Sequence, residues 1–231
     1  MLQFDNAVFD NGGFHLAVDW ALPPATKLAV IGPSGAGKST LLAGLVGFIP
    51  CLSGTVTWEG KDIARIAPGA RPLTMLFQDH NLFPHLSVAQ NVGLGLAPNL
   101  QLSSGQHAQV TEVLDRVGLA GFGKRKPAEL SGGQASRVAL ARALLRARPM
   151  LLLDEPFAAL GPGLKAEMLS LVRELLEGTQ TSLIMVTHDP KDAQRLADQT
   201  VFVDGGIAEP PVPTTKLFDA PSPALARYIG T

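Results

Sequence analysis

The chain has 231 residues, with 19 basic and 20 acidic side chains and a single cysteine, Cys51. This near-neutral balance excludes a broad electrostatic attraction to nucleic acid or anionic lipid, and one cysteine excludes an internal disulfide framework and suits a reducing cytoplasm. The N-terminus lacks the basic start of a signal peptide, and no apolar run of about 18 residues could span a membrane. We therefore expect a cytoplasmic protein, and its length allows one sizeable core or one core with a smaller lobe.

Short apolar or alternating runs dominate the first sixty residues and predict strands, namely LQFDNAVF, FHLAVDW, KLAVI and GTVTWEG. Beyond residue 70, longer helical patterns alternate with the apolar runs LTMLFQ, MLLLDE, SLIMVTH and TVFVDGG. This alternation predicts an α/β fold whose mostly parallel sheet is covered on both faces. The segment VDGGI at 203–207 predicts a tight hairpin turn.

A phosphate loop is predicted at residues 32–39, where GPSGAGKS fits the pattern G-x-x-x-x-G-K-[ST] between an apolar strand and a helical run. Lys38 supplies a cation for the β- and γ-phosphates of a nucleotide, and the Ser39 hydroxyl can ligate Mg²⁺. The predicted ATP-binding residues of this segment are Gly32, Pro33, Ser34, Gly35, Ala36, Gly37, Lys38, Ser39 and Thr40.

Three predicted strands end in polar side chains that suit hydrolysis. Asp154 and Glu155 follow the run MLLL. Asp154 would hold Mg²⁺ through water, and Glu155 would act as general base on the attacking water. Gln78 and His188 end two other strands, and ligands lie at the carboxyl ends of strands in open parallel sheets. An acidic strand end can also be a solvated turn, and a histidine after a strand can be structural.

The segment 80–111 is unusual because its 32 residues contain no Asp, Glu, Lys or Arg. Two interpretations remain open: a neutral surface lobe, or a face that docks another protein, since the cores of interfaces are depleted of charge. Leu82 and Val88 are positions in it that we expect to be exposed.

A second glycine-rich helix start is predicted at LSGGQASRVALARA, residues 130–143. Ser131 and Gln134 form the pattern of a capping box. Capping does not explain why Gly132 and Gly133, two poor helix formers, lie between them, whereas an anion approaching the bare backbone does. No second lysine and Mg²⁺ ligand set accompanies this segment, so we expect it to contact a nucleotide held by a second copy of the chain in a two-fold dimer.

Taken in order, GPSGAGKS, Gln78, LSGGQ, LLLDEP and VTH resemble the motif set of the ATP-binding-cassette (ABC) ATPases over about residues 2–210. The resemblance implies a RecA-like P-loop NTPase core with an antiparallel β-subdomain and an inserted helical subdomain at about 85–145, all within one ABC ATP-binding domain, 1–231. It also implies that Ser131, Gly132, Gly133 and Gln134 contact ATP in trans, that His188 is the switch histidine and that Gln78 joins Ser39 and Asp154 at Mg²⁺. An aromatic residue upstream of the phosphate loop would stack on adenine, and Phe9 is the first candidate, with Phe14 as the alternative.

A narrower resemblance lies in residues 75–100, MLFQDHNLFPHLSVAQNVGLGLAPNL, which look like the ATP-binding subunits of bacterial thiamine importers. Such a subunit hydrolyses ATP and is peripheral on the cytoplasmic side of the inner membrane. Two copies serve one permease, and a periplasmic protein delivers thiamine or its phosphates. The alternative is a cassette of an exporter, or of an importer for another solute such as iron or a polyamine. A cassette ATPase acting on nucleic acid is disfavoured because the chain has no basic stripe.

Two positions depart from the pattern of the family. Gly161, followed by Pro162, stands where an aspartate is usual, and Ala135-Ser136 stands where a polar and often basic pair is usual. If the usual aspartate accepts hydrogen bonds across a dimer, Gly161 should weaken dimer closure. Alternatively, the loop could need a positive φ at Gly161, where only glycine is unstrained.

Overall fold

The computed structural model describes residues 1–77, 79 and 81–230, which form two compact units. Unit 1 contains residues 1–73 and the chain from 178 onward, and unit 2 contains residues 74–177. Within the described part of the chain, no helix is both long and apolar enough to cross a membrane.

The elements follow the predicted order of an early strand-rich region and a later alternation of strands and helices. In unit 1 they begin with β1 (Leu2–Asn11), β2 (Phe14–Val18), β3 (Ala21–Leu22), β4 (Lys27–Ile31), α1 (Lys38–Val46), β5 (Cys51–Trp58) and β6 (Lys61–Asp62). The strand β7 (Leu73–Leu76) begins at the last residue of this part of unit 1 and continues into unit 2. Unit 2 also holds α2 (Val88–Gly93), α3 (Ser104–Arg116), α4 (Gly132–Leu145), β8 (Met150–Asp154) and α5 (Pro162–Leu176). Unit 1 then resumes with β9 (Ser182–Val186), α6 (Pro190–Leu196), β10 (Gln199–Asp204), β11 (Ile207–Ala208), β12 (Val212–Pro213), α7 (Thr214–Asp219) and α8 (Pro223–Ile229).

The strands of unit 1 lie in the order β6-β5-β1-β2-β11-β10-β4-β9. The pairs around β1 are antiparallel, and β1 alternates buried and exposed residues along much of its length because one face meets solvent. The pairs β10–β4 and β4–β9 are parallel, and β9 is buried throughout. The predicted hairpin is present: β10 and β11 are antiparallel, and Gly205 and Gly206 both have positive φ between them.

Arg71 anchors the C-terminal end of α1, the helix that follows the phosphate loop. Its guanidinium donates to the carbonyl oxygens of Gly44 at 2.8 Å and Leu45 at 2.6 Å, and also to those of Ile66 and Ala64. A cation at this end of a helix complements the helix dipole and caps free carbonyl groups. Burial lowers the pKa of Arg71, which nevertheless stays charged.

In unit 2, α2, α3 and α4 pack on one another and all lie within the segment predicted to be a helical subdomain. Each begins with a serine capping box, at Ser87, Ser103 and Ser131. Arg137 on α4 donates to the carbonyl oxygen of Val117 at 2.8 Å and pairs with Glu167 on α5. This arginine therefore joins the helix that follows LSGGQ to its two neighbours.

Candidate nucleotide-binding site

The phosphate loop is a helix start that lacks a side-chain cap. Gly37 is the N-cap of α1, has φ +112° and makes no side-chain capping bond. The first N–H groups of a helix have no partner within the helix, so this end of α1 can bind an anion. Gly32 has φ +149°, and a Cβ atom there would lie 2.1 Å from the carbonyl oxygen of Val203. Only glycine fits that position.

Lys38 folds back over this loop. Its ammonium group donates to the carbonyl oxygens of Gly32 and Pro33, both at 2.8 Å, and the side chain is only 8% exposed. Ser39 beside it is exposed. The loop therefore combines backbone N–H groups, a held cation and an accessible hydroxyl, which are the parts that a Mg²⁺-bound triphosphate requires.

His188 lies at the same sheet edge as the phosphate loop. It follows β9, which pairs in parallel with β4, and the N–H of Thr187 donates to the carbonyl oxygen of Val30. The Thr187 hydroxyl donates to Asp192 at 2.6 Å and accepts from the N–H of Asp189. These bonds hold the backbone on both sides of His188, and its side chain is exposed.

The prediction that Phe9 stacks on adenine is wrong. Its ring is 1% exposed because the alternation of β1 turns it into the core, where it lies against Gly44 of α1 and Phe4. Phe14, the alternative, is half-buried at the start of β2. Its ring lies 3.0 Å from the point where a Cβ atom of Gly37 would stand, so it borders the phosphate loop.

In unit 2, Asp154 is the last residue of β8, and Glu155 follows it in the left-handed region with φ +43°. Such a backbone conformation is costly for a residue other than glycine and is concentrated at functional sites. Both carboxylates are half-buried. Gln78, the third predicted residue of this group, lies outside the described residues.

The capping box at LSGGQ is confirmed. The Ser131 hydroxyl accepts from the N–H of Gln134 at 3.3 Å, and the Gln134 side chain accepts from the N–H of Ser131 at 3.0 Å. Gly133 is buried, and a Cβ atom there would lie 2.5 Å from a methyl carbon of Leu164. Packing therefore accounts for Gly133. Only Gly132, which is exposed, remains available for the anion expected to approach this helix start.

Gly161 is the N-cap of α5, with φ −62° and ψ 156°. The alternative interpretation, a loop that needs a positive φ, is wrong. An added Cβ atom would meet nothing within 4 Å. A side chain at this position is therefore compatible with the backbone.

The charge-free segment borders a cavity of about 440 Å³ in unit 2. Phe83, a residue of this segment that lines the cavity, is 46% exposed. The expectation that Val88 is exposed is wrong, because it is 0% exposed as the first residue of α2, and Leu82 is half-buried. The cavity is lined by Thr74, Met75, Leu76, Phe77, Asn81, Phe83, Leu94, Gly95, Pro98, Ala139, Arg142, Ala143 and Arg146.

Comparison with known proteins assigns the chain to a family. The family model described as ABC transporter matches residues 16–158, which include the phosphate loop, LSGGQ, Asp154 and Glu155. The chain belongs to the ABC transporter family. This result confirms the predicted family and the predicted role of an ATP-binding subunit that couples ATP hydrolysis to transport.

Curated relatives match all or nearly all of this chain. The chain is 54% identical over 230 residues to the thiamine import ATP-binding protein ThiQ of Cereibacter sphaeroides, covering 100% of each sequence. It is 50% identical over 220 residues to the protein of that name from Chelativorans sp., covering 95% of this chain and 89% of the relative.

A solved structure agrees with the fold. The post-hydrolysis dimer of the ATP-binding cassette MJ0796, bound to ADP and Pi, is 26% identical with a TM-score of 0.77, and the match covers 93% of this chain and 99% of that chain. This likeness confirms the predicted ABC ATPase fold.

Two residues that position the site were not predicted from the sequence. Arg71 and Arg137 each satisfy backbone carbonyl groups of another segment. Their distances in the sequence from the motifs follow no helical or strand period, so the sequence did not indicate a role for them. Arg137 could have been suspected because it follows LSGGQ by only three residues.

Proposed function

We propose that this chain is the ATP-hydrolysing subunit of an importer for thiamine or its phosphates. Thiamine is proposed as the solute because the chain is 54% identical along its whole length to a thiamine import ATP-binding protein. A similar subunit for iron or a polyamine is the alternative. The chain would lie on the cytoplasmic side of the bacterial inner membrane, against a permease that a periplasmic binding protein supplies.

In the proposed mechanism, the phosphate loop binds the triphosphate of ATP, and Lys38 neutralises the β- and γ-phosphates. Phe14 stacks on the adenine. Glu155 removes a proton from a water molecule, whose oxygen then bonds to the γ-phosphorus as the bond to the ADP oxygen breaks. His188 contacts the γ-phosphate from the neighbouring strand end.

Mg²⁺ fits the donors that this chain offers. Ser39 has an accessible hydroxyl, and Asp154 ends β8 with a half-buried carboxylate. The amide oxygen of Gln78, which lies outside the described residues, would be the third donor. Protein sites for Mg²⁺ commonly use one or two carboxylates together with substrate phosphates. Bound Mg²⁺ would neutralise charge on the β- and γ-oxygens.

The dimer places the second glycine-rich start on the partner's nucleotide. Ser131, Gly132 and Gln134 would contact the γ-phosphate bound by the phosphate loop of the other copy. The exposed Gly132 at the start of the 14-residue helix α4 supports this proposal.

The permease would dock at the cavity of unit 2. Its lining combines aromatic and aliphatic side chains from the charge-free segment with Arg142 and Arg146, which suits an apolar helix of the permease carrying a carboxylate. Phe83→Lys adds a charge there and should lower thiamine uptake at least tenfold, while the ATPase rate of the isolated chain stays within twofold.

The matched control is Ala108→Lys, which adds the same charge at an exposed site of α3 that does not line the cavity. Uptake by reconstituted vesicles should be normal with this variant. If both variants lose thiamine uptake equally, or if neither loses it, the proposal that the permease docks at the cavity is wrong.

The solute is tested in cells from which the chain has been deleted. Uptake of labelled thiamine should return with the wild-type chain and not with Glu155→Gln, while uptake of iron and spermidine should not depend on either. Restored uptake of iron or spermidine alone would favour the alternative.

A further inference from the structure

The C-terminal helix α8 makes a direct bond to the backbone of the predicted switch histidine. The hydroxyl of Tyr228 donates to the carbonyl oxygen of His188 at 2.8 Å. Tyr228 is the only tyrosine in the sequence, beside ten phenylalanines. The one aromatic ring that carries a hydroxyl therefore stands where the hydroxyl has an acceptor.

Helix α8 is anchored by an N-terminal cap and by packing against the core. Ser222 caps its N-terminus by accepting from the N–H of Leu225 at 3.2 Å, and Leu225 is 0% exposed. Leu225 belongs to a buried cluster with Ala29 and Phe202, and Tyr228 packs against the same cluster with its ring centroid 5.9 Å from that of Phe202.

The position of the acceptor determines what the bond does. The carbonyl group of His188 belongs to the peptide that joins His188 to Asp189, so its direction sets ψ of His188 and the course of the chain into α6. Thr187 is already tied to Asp192 and to β4, and Asp189 accepts from the N–H of Lys191. The Tyr228 bond adds a constraint at the residue between these two anchors.

We propose that Tyr228 is a positioning residue that orients His188 for ATP hydrolysis, which makes α8 part of the hydrolytic machinery. This inference rests on the proposed role of His188. The contact is accessible to solvent, so water can satisfy the carbonyl group if the hydroxyl is removed. A water molecule is not attached to α8, however, so the orientation is lost while stability is nearly kept.

The test is Tyr228→Phe in the full chain, which removes one oxygen atom and keeps the ring. We expect kcat of ATP hydrolysis to fall about threefold to tenfold, the range of one hydrogen bond. KM for ATP should stay within twofold because the phosphate loop is untouched. The matched control is Thr200→Val, which removes the hydroxyl that bonds Thr214 at 2.9 Å in the same C-terminal region. It should lower the melting temperature and leave kcat unchanged.

A double-mutant cycle separates positioning from general damage. With His188→Ala as background, Tyr228→Phe should no longer change the residual rate. The ¹³Cε1 resonance of His188, identified by its loss in His188→Ala, should shift in Tyr228→Phe and not in Thr200→Val.

The outcomes separate this inference from the proposed function. If His188→Ala keeps full ATPase activity, the proposed role of His188 is wrong and the inference fails with it. If His188→Ala is inactive but Tyr228→Phe keeps the wild-type kcat and resonance, only the inference fails. An equal fall of the rate with and without the imidazole also overturns it.

Discussion

The glycine-rich starts of α1 and α4 are built differently. At the phosphate loop, Gly32, Gly35 and Gly37 all have positive φ, and Gly37 offers α1 no side-chain cap. At LSGGQ, neither Gly132 nor Gly133 has positive φ, and Ser131 and Gln134 complete a capping box. Glycine is therefore needed for backbone shape in the first start, whereas in the second start only Gly133 is needed for space.

This difference indicates what each helix start can bind. The start of α1 presents backbone N–H groups without a side-chain cap and has a cation, Lys38, beside them, so we expect it to be the main contact of the triphosphate. The start of α4 has already used part of its N–H groups in the capping box. It can add contacts to a nucleotide that is held elsewhere but has no lysine of its own in the motif.

The largest expected effect tests the first start. Lys38→Ala removes the cation and should lower ATP hydrolysis about a hundredfold or more, since losing one charge-stabilising group at a transition state has that scale. The control is Lys61→Ala, at an exposed site on β6, which should keep the wild-type rate in a steady-state ATPase assay. A Lys38→Ala rate within tenfold of wild type would contradict the assignment.

The second prediction tests the other start. Glu155→Gln should bind ATP without hydrolysing it and accumulate as a closed dimer in sedimentation. Adding Ser131→Arg should abolish this dimer because it places bulk and charge where a phosphate would enter, while ATP binding to each monomer persists. A monomer that persists in Glu155→Gln under saturating ATP would refute the composite site.

Gly161→Asp should strengthen the dimer without changing either helix start. The backbone at Gly161 accepts a side chain, and an aspartate could accept charge-assisted hydrogen bonds from the opposing copy, at about 1.5–3 kcal/mol each. In the Glu155→Gln background, the ATP concentration for half-maximal dimerisation should fall about tenfold. An aspartate at this N-cap also stabilises α5 by a few tenths of a kcal/mol, so Gly161→Asn serves as the control that caps the helix without the charge. If the curve of dimer fraction against ATP concentration does not shift, the hypothesis that Gly161 lacks a contact across the dimer is wrong.

A comparison of Phe14 with Phe9 can identify the aromatic residue that stacks on adenine. Phe14→Ala should raise KM for ATP about tenfold by removing a stacking contact, which is worth about 1–3 kcal/mol. Phe9→Leu, inside the core, should lower the free energy of unfolding by roughly 1 kcal/mol and leave KM unchanged. KM for ATP and urea denaturation measure the two effects, and the opposite pattern would return the role to Phe9.

The smallest effects separate the two glycines of the second start. Gly132→Ala meets only ordinary contact, with Leu160 at 3.7 Å, so the monomer should gain up to about 1 kcal/mol of stability from helix propensity. Gly133→Ala must displace Leu164 and should lose about 1 kcal/mol or more. Urea denaturation checks both. In the Glu155→Gln background, Gly132→Ala should also weaken the dimer, and an unaffected dimer would mean that no phosphate approaches Gly132.

The sequence by itself determined the motifs, the strand ends that carry Asp154, Glu155 and His188, the capping box at Ser131, the hairpin at 203–207 and the family. Each of these depends on residues within a few positions of one another, because glycine, serine and alternating apolar residues act through local backbone preferences. Glu155 was predicted as a base from its place after an apolar strand, although its positive φ was not predicted.

Only the tertiary structure decided which residues surround those motifs. Phe9 and Phe14 are five positions apart and chemically identical, and burial separates them because β1 turns one into the core and the strand start leaves the other beside Gly37. The role of Gly133 depends on Leu164, the anchoring of α1 depends on Arg71, and the carbonyl oxygen of His188 accepts from the hydroxyl of Tyr228, 40 residues away. Such contacts form between segments that are distant in the chain, so local preference cannot encode them and only the packed fold brings them together.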